Sequence, residues 1–228
     1  MSANAHLLDR PVWNALTTRQ AHFAQGDERA VRFPSDIGVF AAAADPSPAN
    51  LAALAELSGT GGSIAMQEAE GWPVPAGMAG EPRPVDQMVA EAPVIREPAF
   101  AYVRLTDVDA PEMLALATLT RPGPFFARTH CLGDFFGVRV DGRLVAMAGE
   151  RMKVEGFTEV SGVCTHPDHR GKGYAAGLMQ VVMAGVAARG ETTFLHVLSA
   201  NTGAIGLYQT LGFRFRRQLP LTLLTPIA

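Results

Sequence analysis

The sequence predicts a mixed α/β (α+β) fold, and three observations support this prediction. Downstream of Pro98, segments with the two-residue period of strands alternate with segments that have the helical period. Asp141-Gly142, a favoured type I′ pair, joins two of the strand-like segments. A glycine-rich loop, Gly171 to Gly173, lies between another strand-like segment and a helix-like one. The predicted order is strand, helix, three strands, helix, strand, helix, strand.

Each element after Pro98 has its own sequence signal. Alternating or buried-looking apolar runs predict strands at 100–105, 135–140, 144–151, 157–165, 193–198 and, as closing strands, 213–224. Apolar residues at helical spacing predict helices at 111–119, 171–188 and 202–211. Pro111 suits a first helical turn, and Gly190 and Gly212 follow the last turns of the other two helices.

The N-terminal half gives weaker signals. Helices are expected at Val12–Gln25 and at Pro48–Leu57, with Ser47 as N-cap of the second, and strands at Arg32–Ala43 and Ser63–Gln67. From Gly71 to Pro98 the prolines are spaced too closely for regular elements, which predicts a linker. We therefore expect an N-terminal α/β region, 1–98, that ends in this linker, followed by a second domain, 99–228.

Composition limits the classes of function. The chain has 228 residues, 48% of them hydrophobic, and a net charge of −3, which gives no broad positive field for nucleic acid. Cys131 and Cys164 lack the spacing of a disulfide framework or a metal site. No leader-like start and no run long enough to span a membrane is evident. We expect a cytoplasmic protein with a small-molecule or peptide partner and no nucleic-acid, membrane or metal partner.

The segment from Val163 to Ala175 carries the strongest chemical signal. A strand ends there and a glycine-rich loop opens directly into a helix, so backbone N–H groups and the helix dipole converge on an anion such as pyrophosphate. A tight turn that needs glycine only for its backbone angles explains the loop equally well. The strings of the P-loop and of the dinucleotide-binding fingerprint are absent.

Two strings resemble the signatures of the Gcn5-related N-acetyltransferases (GNAT). Arg170-Gly171-Lys172-Gly173-Tyr174-Ala175 matches their Q/R-x-x-G-x-G/A motif, and the run from Asn201 to Phe213 is similar to their N-x-x-A-x-x-L-Y-x-x-L-G-F segment. The resemblance covers about 100–224 and is greatest to the FR47-like branch, akin to glycine N-acyltransferases. It implies a GNAT fold, with a central mixed, mostly antiparallel sheet flanked by helices. In those relatives the N-terminal half resembles a degenerate second copy, but residues 1–98 lack a phosphate loop, which leaves their role open.

The resemblance also implies a cofactor, acetyl-CoA or another acyl-CoA, and residues that hold it. The loop's backbone would bind the pyrophosphate, through residues Arg170, Gly171, Lys172, Gly173, Tyr174 and Ala175. Backbone N–H groups of Val163, Cys164 and Thr165 would polarise the acyl carbonyl, freed by a bulge in the strand. Asn201 would bind the pantetheine arm or simply cap its helix.

Three side chains are candidates for proton transfer or nucleophilic attack. Tyr208 occupies the family's usual acid position, although a packing role with a surface hydroxyl is the alternative. Glu159 is the candidate general base, because burial would raise its pKa; the alternative is an exposed carboxylate without a role. Cys164 has no dedicated base near it in sequence, so a small buried side chain is expected rather than a nucleophile.

Other polar side chains are secondary candidates. Glu150 is the reserve base, on the neighbouring strand. His166 and His169 flank the loop and titrate near neutrality, but histidines in exposed turns usually have no such role.

The acceptor is expected to be a primary amine on a small molecule, an amino acid or a peptide. Its pocket would lie near Thr120–Gly133, where Phe125 and Phe126 line it and Arg128 binds a carboxylate, unless the two phenylalanines only pack the core. A non-catalytic acyl-CoA binding module is the competing hypothesis. Residues 1–98 are compatible with either, as a docking or homodimerising unit.

Overall fold

The computed structural model describes residues 6–60, 62–69 and 71–227. The helices are α1 (Pro11–Thr17), α2 (Pro48–Glu56), α3 (Ala110–Thr120), α4 (Tyr174–Ala188) and α5 (Thr202–Thr210). The strands are β1 (Gln25–Gly26), β2 (Ala30–Arg32), β3 (Ala41–Ala43), β4 (Ile64–Gln67), β5 (Met78–Ala79), β6 (Pro82–Arg83), β7 (Val85–Ala90), β8 (Val103–Leu105), β9 (Phe135–Val140), β10 (Arg143–Val154), β11 (Phe157–Thr165), β12 (Thr192–Leu198), β13 (Arg214–Gln218) and β14 (Leu221–Pro226).

The chain divides into two compact units that are not continuous along the sequence. Unit 1 consists of Met1–Asp86, Met152–Glu155 and Arg217–Ala228, and unit 2 of Gln87–Arg151 and Gly156–Arg216. The predicted boundary at residue 98, by contrast, divides the chain only once. The last strand, β14, pairs with β4, β5 and β6 of unit 1.

In unit 1, Arg10 holds three segments together. Its guanidinium donates to Glu68 at 2.9 Å and to the carbonyl oxygen of Ala44 at 2.7 Å. It also lies over the rings of Trp13 and Trp72, at 5.2 and 4.7 Å from their centroids, which suits a cation–π contact. Burial raises the pKa of Glu68 to about 7, against the opposing effect of Arg10.

The larger sheet has the order β13-β7-β12-β11-β10-β9-β8. The β8–β9 and β9–β10 pairs are antiparallel and the β11–β12 pair is parallel, so the mixed α/β prediction is confirmed. Asp141 and Gly142 have φ of 50° and 78°, the two positive values that the predicted type I′ hairpin needs.

Apolar clusters cover both faces of this sheet. Met147 and Ala148 are successive residues in the regular part of β10 and belong to different clusters, so these clusters lie on opposite faces. One cluster contains Leu178, Met179 and other residues of α4, and the second contains residues of α3. Burial of the apolar side chains of α4 therefore fixes the helix that follows the glycine-rich loop.

The predicted linker is wrong over part of its length, because 85–90 form β7, an interior strand. No proline interrupts this run, and its valine and methionine side chains are buried, but prolines on both sides hid the pattern. Helix α1 ends at Thr17, short of the predicted Gln25. The hydroxyls of Thr17 and Thr18 donate hydrogen bonds to carbonyl oxygens four residues earlier. Such side-chain bonds compete with the backbone bonds of a helix, which disfavours its extension.

The remaining predictions differ from the structure mainly at element ends. The expected strand 32–43 is two strands, β2 and β3, because Pro34 opens an intervening loop. The expected strand 100–105 begins only at Val103. Helix α2 ends at Glu56, one residue before the predicted Leu57, and its N-cap Ser47 and strand β11 have the predicted positions.

Candidate functional site

The loop before α4 presents a set of unused backbone donors. Gly171 and Gly173 have φ of 76° and 77°, left-handed values that favour glycine. The first helical hydrogen bond runs from Gly177 N–H to Gly173 O at 3.0 Å. Over the described residues, no acceptor is bonded to the N–H groups of 171–176. These groups and the positive end of a 15-residue helix have the chemistry that suits an anion.

The strands β11 and β12 pair over only three residues each. The partners are Phe157 with Thr192, Thr158 with Thr193, and Glu159 with Phe194; beyond Glu159 the two strands are no longer paired. The N–H of His166 bonds to Val145 O of β10 at 2.7 Å. Since successive N–H groups of a strand point in opposite directions, those of Thr165 and Val163 point away from β10, towards the open edge.

A bulge changes the direction of β11 just before these residues. Gly162 has φ of 64° inside the strand. Val160 and Val163 both pack in the cluster that contains α4 although they are three positions apart, an odd spacing that needs one inserted residue. The predicted bulge is therefore present, immediately before the three residues expected to polarise a carbonyl.

Tyr208 lies on α5, half-buried against the cluster that contains α4, with its ring 6.1 Å from that of Phe213. Burial raises the pKa of its phenol, which therefore stays protonated at neutral pH. No hydrogen bond of its hydroxyl occurs among the described residues. This phenol has a proton to donate, as the acid assignment requires.

Asn201 caps α5. Its side-chain oxygen accepts from Ala204 N–H at 3.2 Å, as the capping alternative predicted. The role at a pantetheine arm stays a prediction.

The expectation that burial raises the pKa of Glu159 is wrong. The side chain is fully buried, and burial alone would raise its pKa, but Arg151 donates two hydrogen bonds, at 2.8 and 2.6 Å. The charge of Arg151, with a further contact from His196 at 2.7 Å, outweighs burial and lowers the pKa of Glu159 to about 2. A carboxylate with this pKa is a weak proton acceptor.

The other polar candidates are engaged in local contacts. Glu150, the reserve base, is buried and accepts from Arg189 at 2.7 Å. The Nδ1 atom of His166 lies 3.3 Å from Asp168 N and caps the turn that follows. His169 lies 3.5 Å from the Lys172 ammonium, at the exposed rim of the loop. These contacts give no reason to choose Glu150, His166 or His169 as the proton acceptor for an amine.

Cys164 and Phe125 pack in the cluster that contains α3. Cys164 is 7% exposed, and burial raises the pKa of its thiol to about 11, which agrees with the expectation that it is not a nucleophile. Phe125 packs edge-on against Phe135, with centroids 5.8 Å apart, and lies beside Gly162. The packing alternative therefore holds for Phe125, although its position is next to the bulge.

Two groups of side chains were not predicted from the sequence. Arg151, His196, Gln87 and Arg216 form a row with Glu159. The available signal was a polar residue among buried apolar neighbours, as at His196 between Leu195 and Val197. Asp107, His130 and Cys131 place possible metal-binding atoms within 4.8 Å of one another, in a mostly exposed position.

The donor set fits a coenzyme A thioester. The N–H groups of 171–176 suit a pyrophosphate, and the unpaired edge of β11 leaves N–H groups available to a carbonyl oxygen. Fold and site together place unused N–H groups at a helix N-terminus beside two parallel strands that stop pairing.

Comparison with known proteins identifies the family of this chain. Residues 136–219 match the model of the FR47-like protein family. A GNAT-family protein from Novosphingobium aromaticivorans, named for acetyltransferase activity, is 44% identical over 98% of this chain and 100% of its own, with a TM-score of 0.91. The chain belongs to the GNAT family, and the GNAT fold expected from the sequence is confirmed.

More distant structures share the fold alone. A GCN5-related N-acetyltransferase from Kribbella flavida is 18% identical, with a TM-score of 0.68 over 98% of each chain. A GCN5-related N-acetyltransferase-like protein from Streptococcus suis is 13% identical, with a TM-score of 0.53 over 90% of this chain and 82% of its own. No curated protein matches the chain. Across the described ranges, no helix is long and apolar enough to cross a membrane.

Proposed function

We propose that the protein is an acyl-CoA-dependent N-acyltransferase. It transfers an acetyl or other short acyl group to a primary amine, directly, in a ternary complex. The observation that carries this proposal is the juxtaposition of unused N–H groups at 171–176 with the unpaired edge of β11.

Backbone groups provide most of the contacts that bind the acyl donor, acyl-CoA. The N–H groups of the loop and first turn of α4 bind the pyrophosphate, and the exposed side chains of Arg170 and Lys172 add positive charge beside it. Because backbone supplies most of the contacts, the absence of side-chain bulk at Gly171 and Gly173 matters more than the identity of Lys172.

Acyl-CoA, when bound, supplies an activated acyl group as a thioester. The N–H groups of Val163 and Thr165 point to the open edge of β11 and serve as donors to the carbonyl oxygen, where negative charge develops. Alternation places the Cys164 N–H on the side of β10. The hydroxyl of Tyr208 gives its proton to the departing thiolate. The amine nitrogen loses one proton on becoming the amide, and this proton restores the phenol of Tyr208.

The acceptor amine arrives without its proton. Glu159 holds a pKa of about 2 and takes no proton from an ammonium group near neutrality. Water therefore removes that proton before binding, and the rate rises with pH in proportion to the free-amine fraction of the acceptor. Small amines, amino acids and peptide termini are candidate acceptors, with Arg128 as partner for a carboxylate. Homodimerisation through residues 1–98 stays a prediction.

A non-catalytic acyl-CoA binding module is the second candidate. The low pKa of Glu159 favours it, because the anion site needs no proton acceptor whereas an acyltransferase often uses one.

Thiol release from acetyl-CoA, measured with a panel of amines, amino acids and short peptides, tests the proposal. Tyr208→Phe should lower kcat roughly a hundredfold because the phenolic proton is lost. Tyr102→Phe, at an exposed tyrosine that lies against Phe136, is the matched control and should leave kcat unchanged. CoA binding without turnover on any acceptor would favour the binding module. Absence of CoA binding would overturn both candidates.

A further inference from the structure

A row of five hydrogen-bonded side chains crosses five neighbouring strands of unit 2. The strands are consecutive in the sheet, in the order β13, β7, β12, β11, β10. From one end to the other the side chains are Arg216, Gln87, His196, Glu159 and Arg151.

The contacts in this row are short. Arg216 donates to Gln87 Oε1 at 2.8 Å, and Gln87 Nε2 lies 3.0 Å from His196 Nε2. His196 Nδ1 lies 2.7 Å from Glu159 Oε1, and Arg151 donates to both carboxylate oxygens of Glu159. Gln87 and Glu159 are fully buried, and the His196 side chain is 4% exposed.

The donors and acceptors of the row can be assigned in only one way. A guanidinium has donors alone, so Arg216 must face the oxygen of the Gln87 amide. The amide nitrogen then faces His196 and donates to Nε2, which must be unprotonated. His196 is therefore neutral, with its hydrogen on Nδ1, and donates it to Glu159. Rotating the amide to accept from a protonated ring would set two donors, those of Arg216 and Gln87, against each other.

The central bond of the row lies where β11 and β12 stop pairing. Glu159 and Phe194 are the last partners of the parallel ladder. His196 lies two residues further along β12, on the same face as Phe194. The bond from His196 to Glu159 therefore connects the two strands one step beyond their backbone pairing.

We propose that His196 is a positioning residue for the opening between β11 and β12. Gln87 and Arg216 hold it as the Nδ1–H tautomer, and its bond to Glu159 sets the separation of the strands where the ladder ends. Glu159 thus acts through strand geometry rather than as the proton acceptor predicted from the sequence. The expected effect on acyl-CoA binding rests on the proposed function. The assignment of the His196 tautomer does not depend on that function.

NMR of protein labelled at the histidine ring nitrogens tests the tautomer directly. At neutral pH the His196 signals, assigned by their loss in His196→Asn, should show hydrogen on Nδ1 only. Gln87→Glu replaces the donor with an acceptor and should place hydrogen on both nitrogens. Gln25→Glu, an exposed change of the same charge, should leave the signals unchanged. Hydrogen on Nε2 in the unmodified protein would overturn the proposal.

CoA binding, measured by calorimetry, tests the positioning role without requiring turnover. His196→Leu removes the bond to Glu159 and should weaken CoA binding roughly tenfold, because the strand separation changes. His196→Asn keeps an N–H near the Nδ1 position and should bind within about threefold of the unmodified protein.

Thermal unfolding of both variants separates positioning from folding. If the row only stabilises the fold, the folded fraction falls while the Kd of the folded protein stays unchanged, which would refute the positioning role. If the unmodified protein does not bind CoA at all, the proposed function fails, and the NMR result alone decides the structure of the row.

Discussion

Arg151 and Glu159 form an ion pair across β10 and β11, with 2.6 Å between a guanidinium nitrogen and a carboxylate oxygen. Glu159 is fully buried and the Arg151 side chain is 10% exposed, so each charge depends on the other for compensation.

Removing one charge of this pair should destabilise the protein. Glu159→Gln leaves the Arg151 charge buried without its anion, which costs about 3 kcal/mol of unfolding free energy. Urea unfolding near neutral pH measures the loss. The double variant Arg151→Leu/Glu159→Leu should recover most of it, because no unpaired charge remains. Equal stability of Glu159→Gln and the unmodified protein would show that the pair contributes nothing.

The low pKa of Glu159 predicts that the protein loses stability in acid. The pKa of this carboxylate is lowered from 4.5 in the unfolded chain to about 2 in the fold, so its contribution is present above pH 4.5 and lost as the pH falls to 2. The loss amounts to about 3 kcal/mol. Unfolding free energies across this range should fall more steeply for the unmodified protein than for Glu159→Gln. Parallel curves would contradict the low pKa.

The raised pKa of Glu68 predicts that its contribution to stability depends on pH in the opposite direction. Its pKa is raised from 4.5 to about 7, so its contribution to stability is present below pH 4.5 and lost as the pH rises through 7. Between these limits the unmodified protein should lose about 3 kcal/mol that Glu68→Gln does not lose. Chemical unfolding at several pH values measures this difference. A difference that stays constant with pH would show that folding does not raise the pKa of Glu68.

Gly173→Ala should weaken CoA binding by at least about tenfold, because a Cβ would occupy space that the pyrophosphate needs beside the loop N–H groups. Gly190→Ala is the matched control. Its φ of 73° is close to the 77° of Gly173, it lies beyond the other end of α4, and a Cβ at either residue has no neighbour within 4 Å. Both changes should cost about 1 kcal/mol of stability from backbone strain. An equal loss of CoA affinity in both variants would refute the loop as the binding site.

The two cysteines should react at very different rates with a thiol reagent such as DTNB. Cys131 is exposed, whereas Cys164 is buried and has its pKa raised to about 11. We expect one rapidly reacting thiol in the folded protein and two after denaturation. Cys131→Ser should abolish the rapid phase. A rapid phase that survives this change would place Cys164 within reach of solvent.

Most elements of unit 2 could be predicted from the sequence because their signals are local. The Asp141-Gly142 turn, the periodicity of β11 and the glycines before α4 each depend on a few neighbouring residues. β7 was missed because its short run, which includes the polar pair Asp86 and Gln87, lies between prolines, and only pairing with distant strands shows its role.

The row through Glu159 could not be predicted because it depends on register. Gln87, His196 and Arg216 are far apart in sequence, and adjacent positions on one face of a sheet follow only from the strand order. The pKa of Glu159 has the same origin. Burial was predictable, but the guanidinium that outweighs it is placed by the pairing of β10 with β11.

The interleaving of the two compact units along the chain limits how this protein can be shortened or recombined. A fragment that starts after residue 98 lacks β7, an interior strand of the larger sheet, and retains β14 without β4, β5 and β6, its pairing partners. Both defects expose unpaired strand edges, which favour aggregation. Fragment libraries and chimaeras with relatives should therefore exchange the first and last segments together.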